Sequence, residues 1–188
     1  MTREEFIKVL DEEGYSYKIE GDKLVVTYKG YVDLDSLQTL PSGVEFKNGG
    51  PVYLRSLETL PPGVEFKNGG NVDLESLETL PPGVVFKNVF NVNLRSLETL
   101  PPGVEFKNGG VVNLTSLETL PPDVVFKYEG IVFLDSLKTL PPGVVFNNGG
   151  DVYFESLIGG WFHNWSGNIK GINNKRLLNL MIKQGVFI

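Results

Sequence analysis

The chain predicts a mostly β repeat solenoid: a coil of 20-residue turns with stacked parallel short strands and an α-helical cap at each end. Three observations predict it. From Val32 to Asp151 one 20-residue phrase, V-x-L-x-S-L-x-T-L-P-P-G-V-x-F-K-N-G-G-x, is written six times with few departures, and a seventh opens at Val152 and runs to Leu157. A fixed period of this size marks units that bury a core only by stacking on one another. Apolar letters alternate with polar ones inside each phrase, and Pro-Pro-Gly and Asn-Gly-Gly punctuate it, so each turn holds two short strands and two corners.

The first 22 residues are expected to cap the stack. Thr2-Arg3-Glu4-Glu5 is a capping box, Phe6, Val9 and Leu10 form an apolar helical stripe, and Gly14 stops the helix. A hairpin follows, Tyr15 to Ile19 against Lys23 to Val26, turning at Glu20-Gly21-Asp22.

The solenoid is expected over residues 23–158. Val52 to Ser56 has strand phase, which points Val52, Leu54 and Ser56 inward and Tyr53 and Arg55 outward. In Val64 to Asn68, Val64 and Phe66 face in while Glu65 and Lys67 face out, and Asn68-Gly69-Gly70 supplies the positive backbone angles of a sharp corner. The other corner, Leu57 to Gly63, is stiffened by Pro61 and Pro62. Stacking at about 4.8 Å puts like residues in columns: the valines at 32, 52, 72, 92, 112, 132 and 152, and the phenylalanines at 46, 66, 86, 106, 126 and 146. The serines at 36, 56, 76, 96, 116, 136 and 156 are expected as an inward hydroxyl ladder, a structural use, since no base accompanies them.

Residues 159–188 read as a second cap. Trp161, Phe162 and Trp165 precede a helix expected from Asn173 or Asn174 to Gln184, with Leu177, Leu178, Met181 and Ile182 as its stripe.

The segment Leu57-x-x-Leu60-Pro61-x-x-Val64 resembles the convex half of a leucine-rich repeat, and V-x-L resembles its strand half, over residues 24–157. The resemblance is to the short, proline-containing repeats of bacterial and phage proteins. Leu24-x-Val26 and Gly30-Tyr31-Val32 fit the same frame and form a worn first repeat. The chain departs from the family in lacking the asparagine that follows the L-x-L strand, so the resemblance does not imply an asparagine ladder or an exact horseshoe curvature.

Composition bounds the function. No apolar run approaches the roughly 18 residues that span a bilayer, the chain has no cysteine, and the acids Glu4 and Glu5 stand where a secretory leader would be apolar. A cytoplasmic protein with no membrane partner is expected. Net charge is -6, and Lys170, Lys175, Arg176 and Lys183 stand in 159–188 without an acid, so the rest of the surface should repel nucleic acid. No catalytic, metal or cofactor set is legible. His163 is the only histidine, Asp33, Asp35 and Asp73 lack recurrent metal geometry, and the Asn-Gly-Gly corners lack the context of a phosphate loop.

The expected function is therefore a non-enzymatic, protein-binding scaffold, and by the resemblance a phage or bacterial host-directed inhibitor. Residues that break the phrase are its candidate contacts. Val89 and Phe90 replace Gly-Gly in the third turn, Tyr128 and Glu129 interrupt that corner in the fifth, and Val111, Ile131, Phe133 and Tyr153 thicken one outward face toward the C-terminal end. Loop drift explains the corner letters equally well, and cross-strand pairing or cover by the C-terminal segment explains the face. Arg55 and Arg95 interrupt the column of Asp35, Glu75, Asp135 and Glu155, which relieves repulsion between stacked acids. Alternatives are a self-associating module, a homodimer through the C-terminal patch, and a protein that captures a small ligand such as a nucleotide between the aromatic patch and the basic tail.

Overall fold

The structure, a computed structural model, describes residues 1–126, 129–146, 149–160 and 169–170. Helix Arg3–Glu12 opens the chain. The Thr2 hydroxyl accepts the Glu5 N–H at 3.2 Å and the Glu5 carboxylate accepts the Thr2 N–H at 2.7 Å, so the capping box closes in both directions. Phe6 and Leu10 are buried, and Gly14, at φ 73°, ends the helix. Among the described residues this is the only helix; the second one expected near the C-terminus, with Trp161, Phe162, His163 and Trp165, lies outside them.

Strands Tyr17–Glu20 and Lys23–Val26 form the expected antiparallel hairpin. The second of them is also the first rung of the coil, since it pairs in parallel with Val44–Phe46, Leu24 opposite Val44 and Val26 opposite Phe46. From there the chain alternates between two sheets. One, the phenylalanine sheet, continues from Val44–Phe46 through Glu65–Phe66, Val85–Phe86 and Glu105–Phe106, and Val125–Phe126 pairs with Val145–Phe146 beyond it. The other, the valine sheet, runs from Val32–Asp33 through Val52–Tyr53, Val72–Asp73, Val92–Asn93, Val112–Asn113 and Val132–Phe133 to Val152–Tyr153, then to Ile169–Lys170. Every pairing between turns is parallel and in register, 20 residues apart along the repeats. Thr139–Leu140 pairs likewise with Gly159–Gly160.

Both apolar columns are dry. The valines of the first strand are at most 1% exposed and the phenylalanines at most 2%. Phe46, Phe66, Phe86 and Phe106 stack nearly parallel with centroids 5.4 Å apart; the gap widens to 5.9 Å between Phe106 and Phe126 and closes to 4.9 Å between Phe126 and Phe146. The leucines on both sides of the first corner are buried with them.

The serine ladder is overturned. In the first six turns the ladder of the first strand ends at its leucine, because the leucine three residues later donates its N–H to that leucine's carbonyl, Leu57 to Leu54 at 3.1 Å and Leu77 to Leu74 at 3.0 Å. This tight turn breaks the alternation, keeps both leucines inside, and swings the serine outward. Ser36, Ser56, Ser76, Ser116 and Ser156 are exposed, and Ser96 and Ser136 are half-buried.

The glycines also divide their work differently from expectation. Positive φ falls in the proline corner, at Gly43, Gly63, Gly83, Gly103 and Gly143, with Asp123 at φ 60° in the fifth turn. In the Asn-Gly-Gly corner the constraint is proximity: a Cβ on Gly49, Gly50, Gly69, Gly70, Gly109 or Gly110 would lie within 3.0 Å of the preceding turn's backbone. An asparagine ladder does run through the first four turns, at this corner rather than after the first strand. Asn48, Asn68, Asn88 and Asn108 are at most 2% exposed. The Asn68 Nδ2 donates to Gly50, Gly70 and Asn71 carbonyls at 3.1, 3.2 and 3.1 Å, tying its own corner to the one before.

Candidate partner-binding surfaces

The two sheets present their outward letters on opposite faces, and several of these letters are satisfied within the rod. Glu45 is the most enclosed. It points away from the core yet is 3% exposed, because Lys67 and Lys47 both reach its Oε1 at 2.9 Å and Lys23 stands 3.6 Å from its Oε2. Lys23 and Lys67 reach on to Glu65 in the next turn. Burial alone would raise the Glu45 pKa; the ammonium groups of Lys67 and Lys47 outweigh it and hold the carboxyl at about 2. Two stacked glutamates are thus bridged by lysines of adjoining turns, a pairing implied by the outward E-x-K phase.

On the valine-sheet face the arginines behave as the sequence implies. The Asp35 carboxylate accepts the Arg55 backbone N–H at 2.8 Å and its Nε at 2.6 Å, and Arg95 reaches Glu75 at 3.4 Å. Burial works against the charge of Asp35, but its bonds to Arg55 prevail and lower its pKa. Arg55 also stands 5.6 Å over the Tyr53 ring, and Tyr53 lies 6.4 Å from Tyr31, which is 60% exposed. This second aromatic group, at the N-terminal end of the face, was readable from the same two columns, Tyr31 beside Tyr53, that revealed the other end. Asp73 is half-buried and its pKa is raised by desolvation, against a 2.7 Å bond from the Asn93 Nδ2.

Val111, Ile131, Phe133 and Tyr153 do come together toward the C-terminal end of this face. Phe133 and Tyr153 are opposite one another in the ladder and stack at 4.8 Å, while Val111 takes a 2.8 Å bond from its backbone N–H to the Asn91 Oδ1. All four are half-buried, with part of each surface spent on neighbouring rungs.

Val89 and Phe90 stand apart from that patch, at the glycine corner, and are 53% and 55% exposed. Their bulk disturbs the stack locally. The Gly69 N–H donates to the Asn48 carbonyl at 2.9 Å and the Val89 N–H to the Asn68 carbonyl at 3.1 Å, whereas the Gly109 N–H bonds the Val89 carbonyl, a slip of one residue. Asn108 accordingly reaches the Phe90 carbonyl at 3.1 Å and the Gly110 carbonyl at only 3.5 Å. Tyr128 lies outside the described residues; Glu129 beside it is exposed.

Sequence reasoning missed a cleft of about 630 Å3 between the fourth and fifth turns, lined by Pro101, Pro102, Val104, Phe106, Pro121 and Val124 among others. It coincides with the wider Phe106–Phe126 gap and with a half-buried Val124. Asp123 in the glycine position of the proline corner was its only signal in the letters. Among the described residues no cluster of three or more metal-ligating side chains occurs and no helix is long and apolar enough to cross a membrane. Comparison of the chain with family models, with curated proteins and with solved structures finds no match.

Proposed function

We propose that the protein is a non-enzymatic scaffold that binds a protein partner, with Val89 and Phe90 as the anchor of the contact. The observation that carries this reading is their exposure at a corner where the first, second and fourth turns have glycines with no room for a Cβ. The substitution displaces a ladder bond and leaves more than half of two apolar side chains in water, a poor exchange for the fold. A rigid stack meets a partner with little loss of conformational freedom, which suits an aromatic anchor on its surface. The narrower identity, a leucine-rich-repeat protein of bacterial or phage type acting on a host protein in the cytoplasm, rests on the repeat wording alone.

The test is affinity recovery from bacterial lysate with the wild-type chain and with Val89→Gly/Phe90→Gly. A partner retained by the wild type should be lost at least about tenfold by the variant, an anchor's usual share, while the variant's melting temperature stays within a few degrees of the wild type. Equal recovery by both would remove these residues from the interface. The second reading, self-association through Val111, Ile131, Phe133 and Tyr153, is favoured by the Phe133–Tyr153 stack that presents a continuous apolar strip. It requires a dimer in light scattering that Phe133→Asp abolishes.

A further inference from the structure

The two sheets meet their N-terminal end differently. The phenylalanine sheet is covered there by Tyr17–Glu20, an antiparallel strand that turns the stack's end into a hairpin. The valine sheet simply begins at Val32–Asp33, the last strand in its order. Val32 and Leu34 donate to the next turn, to the Pro51 carbonyl at 2.8 Å and the Tyr53 carbonyl at 2.9 Å. Alternation along a strand then points the N–H and C=O of Asp33 the other way, off the end of the stack. Such a pair is a template for another strand.

Both groups are taken by one side chain. The Asp33 N–H donates to the Tyr15 Oη at 3.0 Å, and the Tyr15 hydroxyl donates to the Asp33 carbonyl at 3.3 Å. The ring is held in place independently: it packs edge-on to Tyr28 at 5.2 Å, and its backbone N–H bonds the Leu10 carbonyl at 2.8 Å. Asp35, the next residue in that phase, has its N–H capped by the Asp33 Oδ1 at 3.1 Å.

We propose that the Tyr15 hydroxyl plugs a self-association edge, and that the partner this edge fits is the far end of the same sheet in a second copy of the chain. Among the described residues that far end is Ile169–Lys170, which pairs in parallel with Val152–Tyr153, Ile169 opposite Val152 and Lys170 opposite Tyr153. Continuing the same register into a second copy sets Ile169 opposite Val32 and Lys170 opposite Asp33. By register alone an apolar position falls opposite an apolar one and a lysine opposite an aspartate, both favourable cross-strand combinations. The contact joins two different surfaces and does not close on itself, so unplugged rods grow in line and do not stop at a dimer. The inference is independent of the role given to Val89 and Phe90.

The experiment is sedimentation velocity of the full chain over a wide concentration range, wild type against Tyr15→Phe, which keeps the ring and removes only the hydroxyl. The expected result is a mean size that rises with concentration beyond that of the wild type, together with several-fold faster hydrogen exchange of the Asp33 amide at low concentration. Asp33→Pro placed in the Tyr15→Phe background should restore the wild-type size, since proline removes the outward donor at an edge position that tolerates it. Tyr15→Phe of wild-type size at every concentration would overturn the proposal. So would association that Asp33→Pro leaves unchanged, which would trace it to an opened cap.

Discussion

At the scale of single residues, identical letters carry different physical duties, and substitutions separate them. Gly70 and Gly63 are both corner glycines. A Cβ on Gly70 would collide with the backbone of Gly50 and Pro51 closer than 3.0 Å, while at Gly63 it meets nothing nearer than 3.6 Å and the constraint is φ 78° alone. Gly63→Ala should cost about 1 kcal/mol, the strain of a left-handed residue, and Gly70→Ala about 2 kcal/mol or more, because the stack itself must open. Urea unfolding of the two variants measures the order. Glu45 supplies a pH prediction. Its carboxyl is held at about 2, below its ordinary value of 4.5. The stability it contributes is present above pH 4.5 and is lost as pH falls toward 2, on the order of 2–3 kcal/mol. Glu45→Gln should flatten the fall of the urea midpoint over that window; an equally steep fall would place the loss elsewhere.

At the scale of the element, the unit is a corner plus the strands it joins. The buried asparagine in each of the first four glycine corners satisfies carbonyls from two successive turns, so Asn68→Ala should cost more than an exposed polar residue, about 2–3 kcal/mol, as the stranded carbonyls of Gly50, Gly70 and Asn71 lose their donor. The third turn runs the other way. Val89→Gly/Phe90→Gly restores the phrase of its neighbours and should change unfolding free energy by no more than about 1 kcal/mol, the loss of side-chain contact and the added chain freedom of glycine being met by relief of the slipped ladder. A loss well above that would show Phe90 working for the fold. The strands were legible in phase and in register, but their ends were not: in the run Val52 to Ser56 the last ladder bond is that of the Leu54 N–H to the Asp73 carbonyl at 2.9 Å. Periodicity reports which side chains face in; it does not report a leucine-to-leucine hydrogen bond that ends the alternation and exposes the serine.

At the scale of the whole molecule, stability is a sum over turns and the contacts between neighbours. Deleting 92–111, a full turn, joins Asn91 to Val112 with every column still aligned. The shortened chain should fold cooperatively with a lower melting temperature, whereas removing ten residues places the second-strand letters against the first and should abolish the transition. Circular dichroism of both deletions checks this. The hairpin and the helix at the start close one sheet and leave the other to a single hydroxyl, an asymmetry visible only when the two sheets are followed to their ends.

The sequence by itself determined the period, the in-register parallel stacking, the two buried columns and the N-terminal cap, because each follows from local alternation multiplied by 20-residue identity. Only the tertiary structure decided which glycines are crowded and which are twisted, that an asparagine column lines one corner, that Asp123 borders a cleft, and that Tyr15 meets Asp33. Those depend on distances between turns, and a one-dimensional pattern carries the spacing of letters along the chain without the few ångströms that separate one layer from the next.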